Sequence, residues 1–214
     1  MHASALLPLL LASASAIPGA ERSAGLQKRC DISAAKISLP SNQRQLVAPA
    51  QGPSYIGLAI GTQNYTCEST GTSTNVGAVA EIFDASCLYG APEFSYIQEI
   101  AYSVWKLVPP SADISRVIAV LQTFNDTLVF GQHYFVTSPS GTGISPKWDF
   151  TSAGLVGHPD AFVIAAKAGD ISAPTGPADV DWLSLNKVQG DLATQIFRVN
   201  TVGGMPPDSV RRAI

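Results

Sequence analysis

Thr194-Gln195-Ile196-Phe197-Arg198-Val199-Asn200 is nearly alternating in polarity, as a strand with one buried face should be. The stretches before it have the same character. His133 to Thr137, Lys147 to Phe150, Ala161 to Ala166 and Val180 to Asn186 read as short strands, and the first one runs on from Thr194 to Val202. Between them lie Pro139-Ser140-Gly141-Thr142-Gly143, Gly157-His158-Pro159-Asp160 and Pro174-Thr175-Gly176-Pro177, all residues that turn a chain. In the first half, Tyr55 to Ile60 and Gln63 to Cys67 form a strand or a bulged strand, and Val76 to Phe83 another. Phe94, Ile97, Ile100 or Ala101, and Val104 recur at helical spacing, which predicts one helix ending before Pro109-Pro110. Val117 to Phe124 fits helix or strand. The expectation is a mainly β domain, a β-sandwich or barrel, with one helical insertion.

Upstream of the domain the pattern changes. After Met1-His2, the apolar run Ala5 to Ala12 has the length of a signal-peptide core and is too short to span a bilayer. Ala14-Ser15-Ala16 has the form signal peptidase accepts, and Pro18-Gly19-Ala20 offers a second site. A buried helix is the competing reading of this run. Lys28-Arg29, just before Cys30, reads as a dibasic propeptide site, against an ordinary solvated pair. The expected organisation is a signal peptide over 1–16, a propeptide over 17–29 and a single β-rich domain over 30–214. The expected location is outside the cell or in the cell wall.

Composition supports a packed domain: 46% of residues are hydrophobic and 14% charged, in a chain of 214 with net charge −3. Loss of residues 1–29 would take three of the 13 basic residues and one of the 16 acidic ones, making the product more acidic. Scattered Lys and Arg on an acidic chain give no footprint for nucleic acid and no polybasic membrane patch. No later segment has the apolar length of a membrane span. Asn64-Tyr65-Thr66 and Asn125-Asp126-Thr127 are glycosylation sequons, Asn125 in the more turn-like setting. Cys30, Cys67 and Cys87 are too widely spaced for a zinc site, and an exported chain is expected to pair two of them and leave one over.

Chemistry is sparse. Gly141-Thr142-Gly143-Ile144-Ser145-Pro146 lacks the third glycine and the following helix of a dinucleotide fingerprint, so no nicotinamide cofactor is expected. No nucleophile elbow occurs. Only His133 and His158 lie beyond the leader, too few for a histidine-built metal centre. His133 is a candidate general base, with a hydrogen-bonded structural histidine as the competing reading. His158 lies in a turn and reads as solvated. Asp179 and Asp181, two apart on an expected strand, would share a face and could act as an acid/base pair or hold a cation; a solvated strand entry competes. Trp148 and Trp182 could together form a sugar-stacking surface, or be core.

Six stretches carry a family resemblance: Gly61-Thr62-Gln63-Asn64-Tyr65-Thr66-Cys67, Gly77 to Asp84, Gly131 to Phe135, Ser145 to Phe150, Asp179 to Leu183, and Arg198 to Pro207 with its Gly203-Gly204-Met205-Pro206-Pro207 element. Together they resemble a secreted fungal family with bacterial relatives, classed as a domain of unknown function; some members are labelled malate dehydrogenase. The resemblance spans Cys30 to Pro207. It implies a further cysteine and a closing aromatic strand after Pro207, which this chain lacks. By that comparison Cys67 would lose its partner, Cys30 would pair with Cys87, and a sheet edge would lie open.

The readings of function, in order of support, are three. The first is a secreted or wall-associated protein with a binding role, its partner a cell-wall polymer or extracellular glycan. The second is a secreted enzyme acting on carbohydrate or another extracellular substrate through His133 or the Asp179/Asp181 pair. The malate dehydrogenase label is disfavoured, because no residue pattern supports it.

Overall fold

The computed structural model describes residues 10–13, 30–68, 72–109 and 129–206. Seven antiparallel strands follow one another in sequence order as a meander: β2 (Tyr55–Cys67), β3 (Ser73–Asp84), β4 (Val129–Thr137), β5 (Ile144–Asp149), β6 (Phe162–Ile171), β7 (Trp182–Gln189) and β8 (Gln195–Arg198). They curl into a half-barrel. A short strand β1 (Leu10–Ser13) lies between its two ends, antiparallel to both, and closes the barrel. The helix α1 (Ile97–Trp105) follows a 3-10 turn over Pro92–Ser95 in the β3–β4 connection. The expectation of a mainly β, barrel-like domain with one helical insertion holds.

Alternation on the strands sorts side chains between two cores. Ala59, Ala80, Ile82, Phe130, Trp148, Val163, Leu185 and Ile196 fill the inside. At one end that interior is plugged by aromatics. Phe130 and Phe150 meet edge to face with centroids 4.5 Å apart, and Tyr55 sits against both. Ile56, Leu58, Trp182, Phe197 and Val199 point outward, where bare strands would meet water. They are covered by Ile32, Ala35 and Leu46 of the N-terminal segment and by Phe94, Ile97 and Ala101 at the helix. A disulfide between Cys30 and Cys87 ties the start of that cover to the turn after β3. Cys67 is free and exposed at the far end of β2.

The two runs around Gly61-Thr62 form one bulged strand, as expected, with its register shift at Asn64/Tyr65. Other local features differ from expectation for physical reasons. The helix begins at Ile97, so Phe94 packs from the preceding turn. Of Ile100 and Ala101 it is Ala101 that packs on the core beside Ile97; Val104, expected on that face, is exposed near the end of the helix, and Gln98 turns inward and donates to the Ser95 carbonyl. Val117 to Phe124, Asn125, Ala16 and Lys28-Arg29 lie outside the described residues. β1 falls within the stretch expected to be a signal peptide, and it occupies the gap between β8 and β2. No helix among the described residues is long and apolar enough to cross a membrane.

Candidate functional site

Opposite the aromatic plug, the interior of the barrel is not filled. Gly61, Ala80, His133, Trp148 and Val163 stand side by side across five strands. Gly61 is required there. A Cβ on it would meet the Val79 carbonyl at 1.9 Å and the Ala80 Cβ at 2.6 Å. Small residues on β2 and β3 leave the width that the imidazole and indole occupy. Above this layer opens a cavity of about 330 Å³, within the range of small-molecule sites. Its apolar wall includes Phe135, Pro146, Trp148, Leu183 and Leu185; its polar edge is Gln63, Tyr65, Asn75, Asp181 and Arg198.

The polar edge is held in place before any ligand arrives. Asn75 donates to Gln63 Oε1 at 2.8 Å and accepts from the Gly77 amide at 3.0 Å. The Tyr65 hydroxyl donates to the Gly204 carbonyl at 2.9 Å. Arg198 donates from Nε and Nη2 to the backbone oxygen of Asp181, at 3.0 and 2.8 Å. Burial pushes the Arg198 pKa down to about 10, against the opposing pull of Asp181 and Tyr65. Burial likewise raises the Tyr65 hydroxyl.

His133 is 3% exposed, stacked on Trp148 with centroids 4.6 Å apart, and edge-on to Phe135. Burial pushes its pKa down to about 4, more than the hydrogen bond to Lys147 raises it. The ring is therefore neutral near pH 7. Nδ1 lies 3.0 Å from the Lys147 carbonyl, so the proton sits there and the lone pair is on Nε2.

The structure brings His133 and Asp181 to one cavity and separates Asp179 from them. The expected shared face fails because β7 starts only at Trp182. Before it, the chain pairs with the glycine turn: Val180 donates to the Gly203 carbonyl, and Asp179 bridges to Gly204. The Asp179 carboxylate accepts from Thr175 Oγ1 and from the Gly203 amide. It fixes a turn that glycine alone allows, since Gly203 and Gly204 have φ of +74° and +104°. The two tryptophans do not share a surface either. Trp148 is in the inner core and Trp182 in the outer one. Asn64 is half-buried at the register shift, its Oδ1 accepting from Thr62. Gly141 and Gly143 sit in the turn between β4 and β5, with a strand and not a helix following. Among the described residues, no three of His, Cys, Asp and Glu gather as a metal would need.

Sequence reading missed Arg198, Gln63, Tyr65 and Asn75. The sequence carried no signal for Arg198: with Phe197 and Val199 apolar it falls on the polar face of the alternation, and only the closed sheet, which buries Ile196 on that same face, turns it inward.

The chain is thus a meander barrel plugged at one end and hollow at the other, an architecture in which larger barrels enclose cavities. Five of the six stretches that carry the resemblance supply its lining: Gln63 and Tyr65, His133 and Phe135, Pro146 and Trp148, Val180, Asp181 and Leu183, and Arg198 and Met205. The chain belongs to the family described as "Protein of unknown function (DUF3455)", whose model matches residues 48–212. No curated protein and no solved structure matches the chain.

Proposed function

We propose that the chain is a non-catalytic binding module, working outside the cell or in its wall, whose barrel mouth holds one sugar unit of an extracellular or cell-wall glycan. The cavity carries this reading. It sets an apolar wall of Phe135, Pro146 and Trp148 against a polar edge of Gln63, Asn75, Asp181 and Arg198. A pyranose has the matching shape, an apolar C–H face and a rim of hydroxyls that donate and accept. Asp181 supplies an acceptor, Arg198 donors, and the side-chain amides both. The extracellular part of the proposal is supported by the leader pattern and by the Cys30–Cys87 bond, a linkage that persists in oxidising compartments. Binding is placed ahead of catalysis because a buried histidine with a pKa near 4 has little affinity for a proton, and Asp179 is committed to its turn.

A glycan array probed with the full-length chain tests the reading. At least one sugar should be retained, and Phe135→Ala should weaken it about tenfold, roughly 1.4 kcal/mol. A wild-type protein that retains none overturns it. Equal hydrolytic activity of wild type, His133→Ala and Asp181→Asn in a glycosidase screen is expected; loss in either variant would favour the enzyme.

A further inference from the structure

We infer that the sugar held in the barrel mouth is an acidic one, a uronic acid whose carboxylate seats on Arg198; this rests on the carbohydrate reading above. The geometry of the guanidinium points there. Arg198 lines the cavity, yet no carboxylate among the described residues lies within ion-pair distance of it. The nearby Asp181 does not serve. Arg198 turns its Nε/Nη2 edge to the backbone oxygen of Asp181, not to its side chain.

Two consequences follow from that choice of acceptor. The bond to a carbonyl fixes the plane of the guanidinium without neutralising it. It also leaves the other edge, Nη1 with the second hydrogen of Nη2, with no partner among the described residues. Two parallel N–H groups on a pinned plane match a carboxylate bidentately, which a hydroxyl cannot do. A partly buried cation that touches no anion among the described residues, and feels Asp181 only through space, is costly unless something else supplies a contact.

The other charges at the cavity are Asp181 and Lys167. Lys167 is paired at 3.3 Å with Asp170 and largely exposed, so it adds a weak positive bias at the rim. Asp181 opposes an anion, but its carboxylate accepts no hydrogen bond among the described residues and is free to take sugar hydroxyls. His133, neutral, neither attracts nor repels. The carboxylate of the ligand then meets Arg198, its hydroxyls meet Asp181 and Gln63, and its C–H face meets the aromatic wall.

Calorimetric titration of the full-length chain with sodium glucuronate and with glucose, at low salt, tests this. Glucuronate should bind at least about tenfold more tightly. Arg198→Lys, which keeps the charge and loses the fork, should abolish most of that preference. Asp181→Asn, which removes the like charge and leaves the backbone acceptor, should tighten glucuronate and weaken glucose; this variant decides the matter should Arg198→Lys fail to fold. Equal affinity for the two sugars overturns the inference and leaves the carbohydrate reading standing. A preference that survives Arg198→Lys, or glucuronate weakened by Asp181→Asn, also overturns it. Binding of neither sugar overturns the inference, while the carbohydrate reading falls only if the glycan array retains nothing as well.

Discussion

His133 shows how a single side chain can be legible in sequence and still change its meaning in the fold. Its strand was evident, and so was its capacity as a base. The stacking on Trp148 and the near-total burial were not, because they depend on which residues β5 brings alongside. Those contacts hold the folded pKa near 4, against about 6.5 in an unfolded chain. Between these values the unfolded chain binds a proton that the folded chain refuses. Stability therefore rises with pH through the window, is fully present above about 6.5, and is lost as pH falls toward 4. His133→Gln should flatten this slope, read as urea midpoints across about pH 4.5 to 6.5; an unchanged slope would show that the histidine does not set it. A similar logic applies on the outer surface at Asp149. Burial alone would raise its carboxyl, but hydrogen bonds from Lys147, Thr151 and Tyr134 outweigh that and hold it well below the usual carboxylate range. Arg198 was hidden in the sequence, since the alternation sets it with Thr194 and Asn200 on the polar face and only the closed sheet turns that face toward the cavity.

At the scale of elements, β4 to β8 were read to within a few residues, because alternation and turn chemistry are local properties. The N-terminal segment Ile32 to Leu46 was not read at all. It has no regular structure, and its role is to cover the outward faces of β2, β7 and β8, which only the closed sheet reveals. The disulfide is what keeps that cover in place. Cys30 and Cys87 are separated by 57 residues, and opening a loop of that length is expected to cost about 4 kcal/mol through the unfolded chain's regained freedom. The double variant Cys30→Ser with Cys87→Ser should lose on the order of that much in urea unfolding. Exchange protection should fall first at Ile56, Leu58 and Phe197, the residues beneath the cover. A stability within about 1 kcal/mol of wild type would mean that the segment stays docked without its tether. The helix presents Ile97 and Ala101 to the outer core as its spacing predicts, and only Val104, near its C-terminal end, departs from the stripe.

For the whole molecule, closure was the part least visible in sequence. Alternating strands specify a curled antiparallel sheet, but nothing local says whether its ends meet. Here they meet through β1, whose Leu10 pairs with both Gly57 and Arg198. A chain beginning at Cys30 has no such strand. Its amides at Tyr55–Gly57 and Gln195–Arg198 should exchange hydrogen faster than in a chain that retains residues 10–13, and identical protection in the two would show that the seam closes by other means. The seam also has a parity. β1 runs opposite to both of its neighbours, so β2 and β8 point the same way. With eight strands every ladder in the ring is antiparallel; with seven, an all-antiparallel ring is arithmetically impossible. Direct contact between β8 and β2 would have to be the one parallel ladder in the ring, with slanted hydrogen bonds and a register unrelated to the present one. Any strand that restores the ring without that change must enter in the direction β1 takes.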